Sequence, residues 1–112
     1  MLPKANRLRK KKDFEELFKK GKSFKNNFLT LKIAQNNLKE SRFGFIVSQK
    51  VSKKAVLRNK IKRRLRDIIK RNIKDIKNGM DVVIIVLTGL EKKSFLEIKE
   101  ILNILLKKAG LI

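Results

Sequence analysis

The chain has no cysteine, no histidine, no tryptophan and no tyrosine. Without cysteine there are no disulfides and no thiol nucleophile. Without histidine as well, zinc sites of the Cys/His kind and an imidazole general base are excluded. Acidic residues are scarce too, ten against 31 Lys and Arg. They are scattered, and no pair follows a spacing that marks general acid–base work or a two-metal site. There is no glycine-rich phosphate loop and no nucleophile elbow. Long apolar runs are missing as well. The longest, Val82–Leu87, is too short to cross a bilayer, and no apolar stretch follows the basic N-terminus as a secretory signal requires. A cytoplasmic protein is the default expectation.

What remains is a strongly cationic chain with enough apolar residues to fold. At 112 residues and 42% apolar content it reads as one domain spanning 1–112. A chain of this size buries about 65% of its unfolded surface, enough for one core. The net charge of +21 exceeds what solubility requires and calls for an acidic partner, nucleic acid or an anionic membrane.

The charge is concentrated. Between Lys50 and Arg71 there are eleven Lys or Arg in twenty-two residues and one acid, Asp67. Through this run Leu57, Ile61, Leu65, Ile68 and Ile69 recur at helical spacing, which predicts a helix over about 55–71 with one apolar face. The opposite face carries Asn59, Arg63, Arg66 and Lys70, widened by Lys60, Arg64 and Arg71. Arg58 and Lys62 sit near the edge of the apolar face, where their stems can pack. Stacked like charges at i, i+4 oppose helix formation, so a polyanion is the expected compensation. Five of the eight arginines lie here, and the guanidinium fork suits phosphate oxygens.

The other elements arrange themselves around this helix. Residues 1–12 read as a basic, flexible arm whose Arg7, Arg9 and Lys10–Lys12 are available to phosphates. Asp13 with Glu16 has a capping-box spacing. It opens a helix of about two turns with Phe14, Leu17 and Phe18 on one face and Gly21 as its C′ residue. The two rings suit core packing or base stacking. A short strand over 23–25, a turn at Asn26-Asn27, an alternating strand over 28–33 and a third over 42–48 read as an antiparallel meander. A basic loop leads to the central helix, Asn78-Gly79 ends it, and Val82–Leu87 predicts a strand covered on both faces. Ser94 and Glu97 cap a last helix whose face is Ile98, Ile101, Leu102, Leu105 and Leu106. The order is α-β-β-β-α-β-α, an α+β sandwich with helices packed on a four-stranded sheet.

These residues describe a compact nucleic-acid binder. No helix-turn-helix or dimerisation seam suggests one B-DNA groove, and a β face beside an aromatic helix suits single-stranded or irregular RNA. A structural RNA-binding protein, such as a small ribosomal one, fits the composition equally well. A peripheral membrane protein fits the charge only, because its helix would keep an apolar face free.

Four segments in order resemble the protein subunit of bacterial ribonuclease P, covering about Arg7 to Lys108. They are Asp13-Phe14-x-x-Leu17-Phe18-x-x-Gly21, Arg42-x-Gly44-x-x-Val47, Ala55-Val56-x-Arg58-Asn59-x-Ile61-Lys62-Arg63-x-x-Arg66, and Asp81-Val82-Val83-Ile84-Ile85. The third is the family's signature helix. The resemblance implies the αβββαβα fold with a left-handed β-α-β crossover, against the usual handedness. It also implies a ribonucleoprotein that removes the 5′ leader of precursor tRNA by hydrolysis. The large RNA subunit is the catalyst and uses Mg²⁺; the protein supplies no catalytic residue and has no obligate protein partner. By the same resemblance Lys50, Lys53, Lys54, Arg58, Asn59, Lys60, Lys62, Arg63 and Arg66 contact the RNA subunit. Phe14, Phe18, Thr30, Lys32 and Ile46 line a cleft for the leader. The chain departs from the family at Lys60, where arginine is common, at Lys53, where glycine is frequent, and at Lys32, where an aromatic is usual. The last change favours a phosphate contact over stacking.

Overall fold

The computed structural model describes residues 2–112. Local codes set most elements. The helix α1 spans Lys11–Lys20, α2 spans Ala55–Asn72 and α3 spans Phe95–Lys108. The strands are β1 Lys22–Lys25, β2 Leu29–Gln35, β3 Arg42–Ile46 and β4 Met80–Val86. At the α3 N-terminus the capping box closes as expected. Ser94 N donates to Glu97 Oε1 at 3.0 Å and Glu97 N donates to Ser94 Oγ at 3.2 Å. The accepted Ser94 bonds hold the Glu97 carboxyl below its ordinary pKa. The β1–β2 turn is set by Asn26, whose Oδ1 accepts from the N–H groups of Phe28 and Leu29.

The sheet order is β1-β2-β4-β3. Strand β4 lies antiparallel to β2 and parallel to β3. This corrects the expected meander: only β1 and β2 form a hairpin, and β3 reaches the sheet on the far side of β4. The reason lies in β4 itself. Met80 to Ile84 and Val86 are all buried, and a strand apolar on both faces belongs in the middle of a sheet. The parallel β3–β4 pair is joined through α2, as a crossover connection.

One face of the sheet presents Leu31, Ile33, Phe43, Val82 and Ile84 to α2 and α3, which supply Ile61, Leu65, Ile68, Leu102 and Leu105 among others. The opposite face carries a smaller cluster in which Leu8, Leu17 and Val83 are buried and Phe14, Ala34, Ile46 and Ile85 pack around them. The fold is therefore α+β in three layers, α1, sheet, and α2 with α3.

Several local expectations change. Helix α1 begins before Asp13, with Lys10 at its N-cap and no side-chain cap. Asp13 instead meets Arg42 at 3.3 Å, because a tertiary cation outcompetes the local backbone for its carboxylate. Gly21 has extended backbone, φ −71° and ψ 151°, not a left-handed cap. A Cβ there would meet the Leu17 carbonyl oxygen at 2.5 Å, so close approach is what calls for glycine. Burial along α2 starts at Ile61. Leu57, expected on the core face, is exposed with Val56 because the first turn overhangs the core.

In the segment expected as a flexible arm, of which Met1 lies outside the described residues, residues 2–8 are anchored by packing while residues 9–12 are exposed. Leu2 and Leu8 are buried, a single 3₁₀ turn spans Lys4–Asn6, and Leu8 N donates to the Phe43 carbonyl at 2.9 Å. Asn6 is buried and donates to the Ser41 carbonyl at 2.8 Å. Two leucines and a satisfied amide outweigh the entropy of a basic tail.

Candidate nucleic-acid interface

Two surfaces collect the residues singled out in the sequence. The first is the sheet face beneath α1. Strand register sets Lys32 beside Val83 and Val83 beside Gly44. The next row sets Thr30 beside Ile85 and Ile85 beside Ile46. Helix α1 crosses this face by its middle. Its Asp13, Glu16 and Lys20 flank turns towards Ala34, Arg42 and Asp81. Its other flank carries Phe14 and Phe18, one turn apart. Phe14 lies so close to Gly44 that a Cβ on that glycine would meet two ring carbons at 2.6 Å. The Thr30–Ile85–Ile46 row stays half-buried. The result is a cleft with an apolar and polar floor, one lysine, and an aromatic wall. Phe18 is 41% exposed, so its ring is available at the rim.

What holds the wall in place is an ion-pair network that sequence spacing could not reveal. Arg42 Nε and Nη2 donate to the two Asp81 oxygens at 2.8 and 2.7 Å, and its Nη1 reaches Asp13 Oδ2 at 3.3 Å. Asn36 Nδ2 also donates to Asp81 Oδ1, at 2.9 Å. The Asp81 hydrogen bonds, opposed by burial and helped by the charges of Asp81 and Asp13, raise the Arg42 pKa above its ordinary value. The guanidinium therefore ties β3, β4 and the first turn of α1 together. Ile85, half-buried between Thr30 and Ile46, joins the floor of the cleft, whereas Val83 is fully buried under α1; β4 is apolar on both faces, so its alternation does not mark Ile85.

The second surface is α2 with the loop before it. Val47 and Val51 anchor that loop, while Lys50, Lys53 and Lys54 point to solvent. Arg58 is half-buried and its Nη1 donates to the Ser52 carbonyl at 2.9 Å, bracing the loop. At roughly 100° per residue, Arg58, Asn59, Lys62, Arg63 and Arg66 fall within an arc of about 140° on α2, and Lys60, Arg64 and Arg71 fall on the other flank. The first flank turns towards β3, since the Arg66 guanidinium lies 5.8 Å from the Phe45 ring centroid. The second turns towards α3. There Arg71 stacks on Phe95 at 5.6 Å and pairs with Asp67 at 3.1 Å. Asn59, Lys60 and Arg63 are exposed, and Lys62 and Arg66 are half-buried.

Among the described residues no three acidic side chains converge as a metal site. No helix there is long and apolar enough to cross a membrane.

A family model for ribonuclease P matches residues 2–110. The chain belongs to the ribonuclease P protein family. The ribonuclease P protein component of Pseudanabaena sp. (strain PCC 6903) is 40% identical over 110 residues, 97% of this chain and 95% of the relative. That of Clostridium botulinum (strain 657 / Type Ba4) is 39% identical over 109 residues, 96% of this chain and 97% of the relative. Among solved structures, the RNase P protein of Staphylococcus aureus at 2.0 Å superposes with a TM-score of 0.90. It is 34% identical, over 96% of this chain and 98% of that one. As a ribonuclease P protein component, the chain is part of an endoribonuclease ribonucleoprotein that works in tRNA processing, and its partner is RNA.

Proposed function

We propose that this protein docks on the catalytic RNA of ribonuclease P through α2 and its preceding loop, and that it holds the 5′ leader of precursor tRNA in the cleft between α1 and the sheet. It works in the cytoplasm, one protein per RNA subunit. Lys50, Lys53, Lys54, Arg58, Asn59, Lys60, Lys62 and Arg63 contact the RNA subunit, chiefly through phosphates. Arg66 belongs to the same set. Phe14, Phe18, Thr30, Lys32 and Ile46 contact the leader. The observation that carries this reading is that Thr30, Lys32 and Ile46 share one sheet face, against which Phe14 packs from α1, with Phe18 exposed one turn further along the helix. Such a face offers a single strand stacking surface and one cation.

The chemistry is assigned to the RNA subunit and its Mg²⁺. The protein offers no convergent carboxylate set among the described residues, and no histidine or cysteine. Its contribution is binding energy and orientation of the substrate at the cleavage site. The test is cleavage of precursor tRNA at low Mg²⁺ by the matching RNA subunit, with and without the protein. Cleavage at the mature 5′ end that needs both components is the expected result. Tight RNA binding without stimulation, or robust cleavage by the protein alone, would overturn the proposal.

A further inference from the structure

The N-terminal segment pairs with β3 only as far as Leu8, through the bridge between Arg7 and Phe43. Past that point the chain turns away into α1, and the edge of β3 is left facing a groove of about 280 Å³. Arg7, Arg9, Phe14, Gly44, Phe45 and Arg66 line it. These residues come from both sides of the sheet. Phe14 and Gly44 belong to the cleft face, whereas Phe45 packs with the α2 side. The groove thus lies at the rim of the sheet, between Phe14 of α1 and the motif-bearing flank of α2. Phe45, two residues beyond Phe43, presents its backbone polar groups to the same outer edge.

The cations are arranged unequally. Arg7 is held by a 2.8 Å bond from its Nε to the Leu2 carbonyl, so it serves the packing of the segment. Arg9 is exposed at the mouth. Arg66 is half-buried and oriented by the Phe45 ring beneath it. A planar cation fixed over an aromatic is preorganised for a phosphate oxygen, since less of its freedom is lost on binding. The rings of Phe14 and Phe45 lie at the same groove, and each offers a face or edge for a base.

We propose that this groove is a separate nucleotide subsite for single-stranded RNA, with Arg9 and Arg66 on one phosphodiester and a base against Phe14 or Phe45. Its occupant is the leader strand as it leaves the cleft over the edge of β3. Phe14 borders both the groove and the cleft, and this shared ring selects the leader rather than the RNA subunit. The proposal rests on the reading of the cleft given above, and it gives Arg66 a leader phosphate beside its place in the RNA-subunit set.

The test uses the reconstituted holoenzyme and precursor tRNAs whose leaders are lengthened one nucleotide at a time. Wild-type affinity should rise with leader length; a flat profile would refute the cleft reading itself. Given that rise, Arg9→Ala and Arg66→Lys should each lower affinity by roughly 3- to 10-fold once the leader is long enough to reach the groove. Arg9→Ala should leave affinity for leaderless tRNA and for the RNA subunit unchanged. Because the chain has no cysteine, Arg9→Cys carrying an aryl azide gives a single crosslinking point, expected on a leader nucleotide. Equal losses from Arg9→Ala with and without a leader, no loss from either variant with any leader, or a crosslink confined to the RNA subunit would each overturn the subsite.

Discussion

Replacing Phe18 with alanine separates a leader-binding ring from a core ring. Phe18 is 41% exposed and lies outside both buried clusters, whereas Phe43 is 2% exposed in the main core. Fully burying a phenylalanine stabilises by about 1.5–3 kcal/mol, so a ring a little more than half covered contributes on the order of 1–1.5 kcal/mol. Water fills the space it leaves, so no cavity penalty is added. For a domain of this size roughly 4 °C of melting temperature accompanies each kcal/mol, so Phe18→Ala should lower Tm by about 4–6 °C. Phe43→Ala should cost about 3–5 kcal/mol and unfold much of the population near physiological temperature. Leader affinity is then measured on folded Phe18→Ala protein in the holoenzyme, using precursor tRNA against leaderless tRNA. Loss of one stacked base predicts a decrease of about 1–3 kcal/mol in the leader-dependent part of binding. A stability loss of 3 kcal/mol or more would show that the ring is core. Wild-type leader affinity in a stable variant would show that it touches no RNA.

Arg63 is exposed on the outer face of α2. Arg63→Ala should weaken binding to the RNA subunit and reduce the slope of log K against log salt by about 0.7–0.9, one phosphate contact, in a salt titration. Gly44→Ala puts a methyl group 2.6 Å from the Phe14 ring. It should cost roughly 1–3 kcal/mol in a denaturant melt, and Phe14→Leu in the same chain should recover part of that loss. If Gly44→Ala were neutral, the close seating of Phe14 on β3 would be wrong.

Features written in one local stretch were legible in the sequence. The α3 capping box, the Asn26 turn and the periodicity from Ile61 to Ile69 use partners within a few residues of one another, and all appear in the structure. Features decided by distant partners were not. Arg42 and Asp81 are 39 positions apart, and Arg42 and Asp13 are 29 apart. No spacing rule pairs them, and Asp13 was read as a cap because its local pattern also fits one. The meander failed for a related reason. Consecutive strands usually neighbour one another, and only the two-faced burial of β4 displaces β3 from β2. The basic N-terminus looked like a solvated arm because Leu2 and Leu8 are isolated among polar residues, with no periodicity to show that both are buried. The assignment of Thr30, Lys32 and Ile46 to the leader rests on family resemblance alone. Alternation along β2 gave Thr30 and Lys32 a shared side, but the floor between β2 and β3 came from β4.

The central position of β4 has a consequence for how the protein is made. During synthesis the β1–β2 hairpin, β3 and α2 leave the ribosome before residues 80–86, yet β2 and β3 have no common neighbour until β4 arrives. At about 5–20 residues per second, the stretch from the end of α2 at Asn72 to the end of β4 at Val86 takes about 1–3 s to appear. For that time a strongly cationic helix is outside with no sheet beneath it. The single late insertion of β4 then joins β2 to β3 and lays the floor under α1 together. A nascent chain stalled before residue 80 would carry the charge without the cleft, and would be expected to adsorb to RNA without discrimination.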